Sequence, residues 1–353
     1  MSVDSDPSEV LPRDGRTKVI GGKQKASPTI YDIAKIAGVN PSTVSRALNR
    51  PGRVSPKTQK LIEDAVEELN YRANPFARAL PTGRTKNLGL IVADITNPTF
   101  FDLIRGAGKG AALQGFTLVL AESAESGAAE LTAARRLLGT VDGLILASPR
   151  MDDKDIRGLA RHKHVVVINR EVDGVPCVIP DAAKGIGQAV RTLAANGHKN
   201  LVFVSGPPRS WMSDRRWEGI QSACEWSRLA ATRLESTRPT LEGGRQIARA
   251  VRESSATAVM AYNDLLAIGL MQELQLAGIE VPDAFSIVGF DDIFGADFTT
   301  PSLTTIRSPL GECGSLATRL MLDLLDGSQG ETRTLLAETE LVLRGSSGRM
   351  LSA

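Results

Sequence analysis

Two sets of polar side chains in this sequence of 353 residues stand where they could do chemistry. The first lies in PSTVSRALN (41–49). If this stretch is helical, Val44, Ala47 and Leu48 share one face, which leaves Ser42, Thr43, Ser45, Arg46 and Asn49 on the other. Compact hydroxyls, an amide and a guanidinium are the groups that hydrogen-bond base edges and phosphates, and Arg46 suits either a guanine or a phosphate. The same face also fits the polar side of an ordinary helical hairpin. The second set recurs where apolar runs end: Asp94, Ser148, Asn169-Arg170, Asn263-Asp264 and Asp291-Asp292. Parallel α/β sheets bind ligands beyond the carboxyl ends of their strands, so these residues together point to a convergent polar cleft. Singly, each reads equally as a helix cap or turn residue. Asp264 has the look of an N-cap, and Asp292 could be one.

Patterns that would signal an enzyme fail on their own terms. GAGKGA (106–111) resembles a phosphate loop, but Lys109 is followed by Gly110 and position 103 is Leu. It also falls inside an expected helix, where small residues serve close helix–sheet packing. No GxSxG, no HExxH and no carboxylate pair with a definable role occurs. The histidines are His162, His164 and His198, too few for most triad or metal chemistry. Cys177, Cys224 and Cys313 are far apart, form no CxxC and read as buried thiols of a reducing compartment. No catalytic residue, metal ligand or cofactor is therefore expected.

The elements that must position the polar sets are legible. Ile30, Ile33, Ala34 and Ala37 form one apolar face of a first helix, which Gly38 ends. Asn40-Pro41 opens a second helix to about Asn49, and Ser55-Pro56 opens a third to about Asn70. Asn74-Pro75 repeats the start signal, but Pro81 stops that helix after six residues, too few to be stable alone. From 88 onward, apolar runs alternate with amphipathic stretches. Strands are expected at 88–94, 116–122, 141–148, 165–169, 201–206, 258–264 and 285–292. Such βαβ alternation gives parallel sheets with helices on both faces, and its length calls for two subdomains.

Composition and charge agree. At 42% hydrophobic and 23% charged residues the chain is globular rather than disordered, and no apolar run is long enough for a membrane span. The N-terminal stretch carries acidic residues and no apolar core of a signal peptide, which points to a cytoplasmic protein. Residues 1–86 hold 15 Lys/Arg and 9 Asp/Glu, net +6, while the remainder holds 27 and 31, net −4. A basic head on an acidic body suits a polyanion as partner of the head alone.

The motifs are specific in combination. TIYDIAKIAGVNPSTVSRALNRPGRVSPKTQKLIEDAVEELNYRANPFARAL resembles the start of lactose/galactose/purine-repressor-type (LacI/GalR) regulators. The similarity runs on through NPTFF, IPDAAKGIGQAV, FVSGPP, RRWEGI, AVMAYNDLLAIGLMQEL, FSIVGFDDI and PSLTTI, and covers nearly all of 28–345. It implies a small all-α helix-turn-helix head plus an α/β periplasmic-binding-protein-like body of two parallel-sheet subdomains. The expected layout is a tail (1–27), the head (28–73), a hinge helix and linker (74–87), the effector-binding and dimerisation body (88–345) and a second tail (346–353). The chain would cross between subdomains near 182, 293–307 and 336. The resemblance assigns DNA contacts to Thr29, Tyr31, Ser42, Thr43, Ser45, Arg46 and Asn49, and to Asn74, Ala77 and Leu80 of the hinge. Leu80 would be the wedge in the minor groove, and Ala77 would let paired hinge helices lie close. Pro81 departs from the basic or small residue common there. The resemblance assigns effector contacts to Phe100, Phe101, Asn169, Arg170, Trp211, Arg216, Asn263 and Asp291.

The function implied is a sequence-specific DNA-binding repressor controlled by a small molecule, a sugar or its derivative, bound between the subdomains. A purine-type or protein co-effector is the alternative within this class. A sugar-binding transport protein would share the body but not the head, and a sugar enzyme would need the acid–base pair that is missing. The expected partners are a pseudo-palindromic double-stranded operator, the effector and a second copy of the chain. Relatives that tetramerise carry a C-terminal leucine heptad, which ELVLRGSSGRMLSA lacks, so a dimer is expected.

Overall fold

The computed structural model describes residues 28–49, 52–71, 83–236, 238–327 and 333–350. The expected tail at 1–27 and hinge residues Asn74, Ala77, Leu80 and Pro81 lie outside the described residues, as does the side chain of Asn49. The chain divides into two units, residues 1–81 and 82–353.

The first unit holds three helices, α1 (Ile30–Ala37), α2 (Pro41–Asn49) and α3 (Pro56–Glu68). Each start has a local cause. The Asp32 carboxylate accepts from the backbone N–H and hydroxyl of Thr29, both at 2.8 Å, which closes the first turn of α1. Those two bonds hold the Asp32 carboxyl below its ordinary range. Gly38 ends α1 at φ 63°, a left-handed conformation glycine adopts freely. Ser55 caps α3 by accepting from the Thr58 N–H at 3.2 Å, with Pro56 as its first residue. Ile33, Val44, Ala47, Ile62 and Ala65 form the small core.

The second unit contains two six-stranded sheets. One has the order β11-β5-β4-β3-β1-β2, with β1 (Asn87–Val92), β2 (Thr117–Glu122), β3 (Gly143–Ala147), β4 (His164–Ile168), β5 (Cys177–Asp181) and β11 (Thr334–Glu338), all parallel. The other has the order β12-β10-β9-β8-β6-β7, with β6 (Asn200–Val204), β7 (Ala230–Leu234), β8 (Ala258–Ala261), β9 (Ser286–Asp291), β10 (Thr304–Arg307) and β12 (Glu340–Val342). Its pairs are parallel except β10–β12. The helices are α4 (Thr99–Leu113), α5 (Gly127–Leu137), α6 (Asp153–Ala160), α7 (Ala182–Ala195), α8 (Trp211–Ser227), α9 (Leu241–Glu253), α10 (Asp264–Leu276) and α11 (Leu310–Leu325).

The chain passes between the sheets after Asp181, after Arg307 and at Thr339. The crossing expected over 293–307 comes later because residues 304–307 still pair with β9, and the one expected near 336 follows β11. Residues 346–350 are not a tail. Ser346 is fully buried, and its carbonyl accepts from the Ile287 N–H at 2.7 Å. The small residues of RGSSG permit that close backbone approach. His198, also buried, has its ring against Thr257 and Ser286 oxygens at 2.9 Å each, and burial lowers its pKa. It is a satisfied core histidine.

GAGKGA lies inside α4, as expected, but its main neighbour is a helix rather than the sheet. A Cβ on Gly106 would stand 2.0 Å from the Gly311 carbonyl oxygen of α11.

Candidate functional site

On the head, Val44 and Ala47 turn α2 inward, while Ser42 and Arg46 are exposed and Thr43 and Ser45 half-buried. Thr29 and Tyr31, at the start of α1, are exposed as well, Tyr31 by 69%. A compact hydrogen-bonding face on the second helix of a helix–turn–helix is the arrangement that fits a major groove.

In the body, the strand ends carry the chemistry. Four non-glycine residues there adopt left-handed or rarer backbone angles: Ser148 (φ 56°), Asn169 (φ 64°), Asp291 (φ 109°) and Asp292 (φ 58°). Such strain clusters where side chains are aimed for function. The Asn169 amide donates to the Ser148 hydroxyl at 3.0 Å, and its own Oδ1 is buried with no partner among the described residues.

Across the gap, Arg216 of α8 meets Asp291 at the end of β9. Its Nη2 donates to Asp291 Oδ1 at 3.1 Å, and the two side chains are 5% and 9% exposed. Its Nη1 donates to the Tyr262 carbonyl, and its guanidinium carbon lies 3.6 Å from the centre of the Phe290 ring. The ring face offers negative potential to the cation. The Nε of Arg216 remains buried and unpartnered among the described residues. Burial raises the Asp291 pKa, against which Arg216 works.

Beneath them lies Asp264, fully buried. The Thr305 hydroxyl donates to one of its carboxyl oxygens at 2.5 Å and the Ile293 N–H to the other at 2.8 Å. Burial, then the neighbouring Asp291, pushes its pKa well above the ordinary carboxylate range. A Cβ at Gly289 would stand 2.1 Å from Asp264 Oδ1, so the glycine of SIVGFDD makes room for this carboxyl. Asp292 instead clasps Arg307 (2.8 Å) and Arg344 (2.7 Å).

A cavity of about 740 Å³ opens beside Asp291, lined also by Thr99, Phe101 and Ser308. The buried Thr99 hydroxyl works with Arg216 to hold the Asp291 carboxyl down against the effect of burial. Phe101 and Asp291 are thus brought together, with Arg216 bonded to Asp291.

Four expected contacts are placed elsewhere. Phe100 is only 4% exposed, packed in the first-subdomain core with Leu103 and Ala107, because the helical repeat turns it inward where Phe101 faces out. Asn263 caps α10: its Oδ1 accepts from the Leu266 N–H at 3.0 Å and its amide donates to the Pro239 carbonyl at 2.9 Å. That cap was expected of Asp264. Arg170 donates to the carbonyls of Pro149 and Met151 and to Asp153, all in its own subdomain. Trp211 lines a second cavity, apart from Asp291.

Other residues at the strand ends were not singled out. Arg150, just after β3, is 9% exposed and donates to Glu125 at 2.6 Å. Tyr262, after β8, has its hydroxyl 3.2 Å from that of Ser210. Their signal was the same as for Ser148 and Asn263, a polar tip where an apolar strand stops.

A helix–turn–helix unit joined in one chain to a two-sheet body with a polar cleft defines the class of ligand-responsive DNA-binding regulators. Residues 29–74 match the family model for bacterial regulatory proteins of the lacI family, and residues 190–347 match the periplasmic binding protein-like domain. The chain is 31% identical to the ribose operon repressor of Halalkalibacterium halodurans over 90% of its length and 96% of that protein's. It is also 31% identical to the transcriptional repressor PurR of Vibrio parahaemolyticus, over 90% and 98% of the two chains. Among solved structures, the lac repressor dimer bound to operator and the anti-inducer ONPF is similar at a TM-score of 0.82 and 26% identity, covering 92% of this chain and all of that one. The chain belongs to the LacI family of transcriptional regulators.

Proposed function

We propose that this chain is a homodimeric transcriptional repressor whose affinity for a pseudo-palindromic operator is set by a small polyhydroxylated effector, a sugar or sugar derivative, held between the subdomains of the body. Thr29, Tyr31, Ser42, Thr43, Ser45, Arg46 and Asn49 contact the operator half-site, joined by the hinge residues Asn74, Ala77 and Leu80. Arg216, Asp291, Asn169 and Phe101 hold the effector. The chain acts on DNA in the cytoplasm and catalyses no reaction.

The observation that carries the effector assignment is the buried Arg216–Asp291 pair at the cavity beside Phe101, where Arg216 Nε is buried without a partner among the described residues. A buried polar group left unpaired costs about 1–3 kcal/mol, which ligand hydroxyls would recover. The Arg216–Asp291 pair is already charge-matched, which favours a neutral ligand over an anionic one.

The test is the melting temperature of the full chain against sugars, sugar phosphates, nucleosides and purines. A ligand at a hundredfold its Kd adds about 2.7 kcal/mol of stability. The expected result is a rise with a sugar that Asp291→Asn loses. A rise confined to purines selects the alternative effector class. No rise with any compound, or one unchanged in Asp291→Asn, overturns the cleft assignment.

A further inference from the structure

The second cavity, about 570 Å³, lies where β5 and β11 of the first sheet meet α7 and α8 of the second subdomain. Its floor is apolar: Ile179, Pro180, Ile186 and Met212 are buried, and Trp211 and the exposed Leu336 add further apolar surface. Its polar lining is unbalanced. Glu171, Asp181 and Glu218 contribute three carboxylates, while Arg215 is the single cation among the lining residues. Arg215 and Glu218 are paired at 2.8 Å, with the guanidinium carbon 5.7 Å from the Trp211 ring centre, and Asp181 accepts from the Ala183 N–H as the cap of α7, so Glu171 is the lining carboxylate left to a ligand. Nothing in this cavity is shared with Asp291, Arg216 or Phe101.

An apolar floor beneath an acidic rim selects against sugars, which would waste the floor, and against phosphates and carboxylates, which the rim repels. It fits a molecule with a hydrocarbon or aryl body and one positive charge. The indole face adds attraction for such a cation, and the volume lies within the range of small-molecule sites. We infer that this cavity is a second ligand site, for a small organic cation of the aryl- or alkylamine class. Both subdomains line it, so an occupant favours the arrangement of subdomains in which the cavity is formed, and through that arrangement it is coupled to the effector cleft.

The test is isothermal titration of the full chain with phenethylamine, and with 2-phenylethanol as its uncharged counterpart. The amine is expected to bind saturably and about tenfold or more tighter than the alcohol, a difference that comes from the rim charge. Glu171→Gln should weaken the amine severalfold, and Trp211→Leu should remove it. Trp211→Phe retains a smaller aromatic face and should keep part of the affinity, which separates loss of the site from loss of the fold. Absence of saturable heat for the amine, equal binding of amine and alcohol, or binding untouched by both Glu171→Gln and Trp211→Leu overturns the proposal.

Discussion

Asp264 and Asp291 stand two layers deep in the same cleft and do different work. Asp291 faces the cavity and Arg216. Asp264 is spent inside, tying β9 and β10 to the start of α10. For Asp291, asparagine is the informative replacement. Removing Arg216 outright would leave a buried carboxylate alone, at about 3–5 kcal/mol, and so confuse ligand binding with unfolding. Asp264 makes a prediction of its own. Its raised pKa means that the folded protein holds this proton more tightly than the unfolded chain does. The resulting stability is complete below the ordinary aspartate value of about 3.9 and is lost as pH rises through the raised value. Asp264→Asn lacks that slope. The melting temperature of wild type relative to the variant should therefore fall as pH is raised from about 4 to about 8. A difference that stays constant across that range would contradict the assignment. The pair also shows where reading residues from sequence stops. The Asp/Asn punctuation marks the carboxyl edges of the strands, because polar residues follow the Val/Ile runs there, and of those residues Asp291 and Asp292 line the cavity. Which of Asn263 and Asp264 caps the helix, and which oxygen Thr305 seeks, depends on a strand 41 residues away and leaves no local trace.

The elements differ in how much of themselves the sequence displays. α1, α2 and the central strands are bounded by caps, prolines and apolar runs, all local signals, and they form where expected. The strands not anticipated are β5, β7, β10, β11 and β12. β7 (AATRL) is an edge strand that stays half-exposed, so it never shows the apolar run of a central strand. β11 and β12 are edge strands too, contributed by a segment that returns after α11. Helix α4 carries its message in glycines that resemble a phosphate loop. Their purpose is the approach of α11, whose Gly311 carbonyl occupies the place of a Gly106 side chain. Gly106→Ala must push backbone apart, and overpacking of this kind costs about 1–3 kcal/mol or more. The body should melt several degrees lower by circular dichroism while the isolated head signal is unchanged. A variant as stable as wild type would mean that α4 and α11 are not so close.

At the scale of the whole molecule, the head and the body are two units of one chain, each with its own core. The subdomains of the body touch through Arg209 of the second, which pairs with Asp152 of the first, and through Met212, which packs into the first subdomain's core. The head's contribution is separable. Arg46 is exposed on α2 and outside the head's core, so Arg46→Ala should leave the melting of the body alone. Operator binding should weaken by about 1–3 kcal/mol, with a shallower salt dependence if the lost contact is to phosphate. Unchanged affinity across salt concentrations would remove α2 from the interface.

Regulation requires that the two units be coupled, a ligand in the body changing what the head does on DNA. The direct measurement is the affinity of the full chain for a labelled duplex, selected from random DNA by the protein itself, with and without a saturating concentration of the compound that raises its melting temperature. Coupling between sites of this kind is typically about fivefold or more in affinity. The expected result is a shift of at least that size, in either direction, that disappears in Asp291→Asn. Identical operator affinity with and without bound ligand would contradict it.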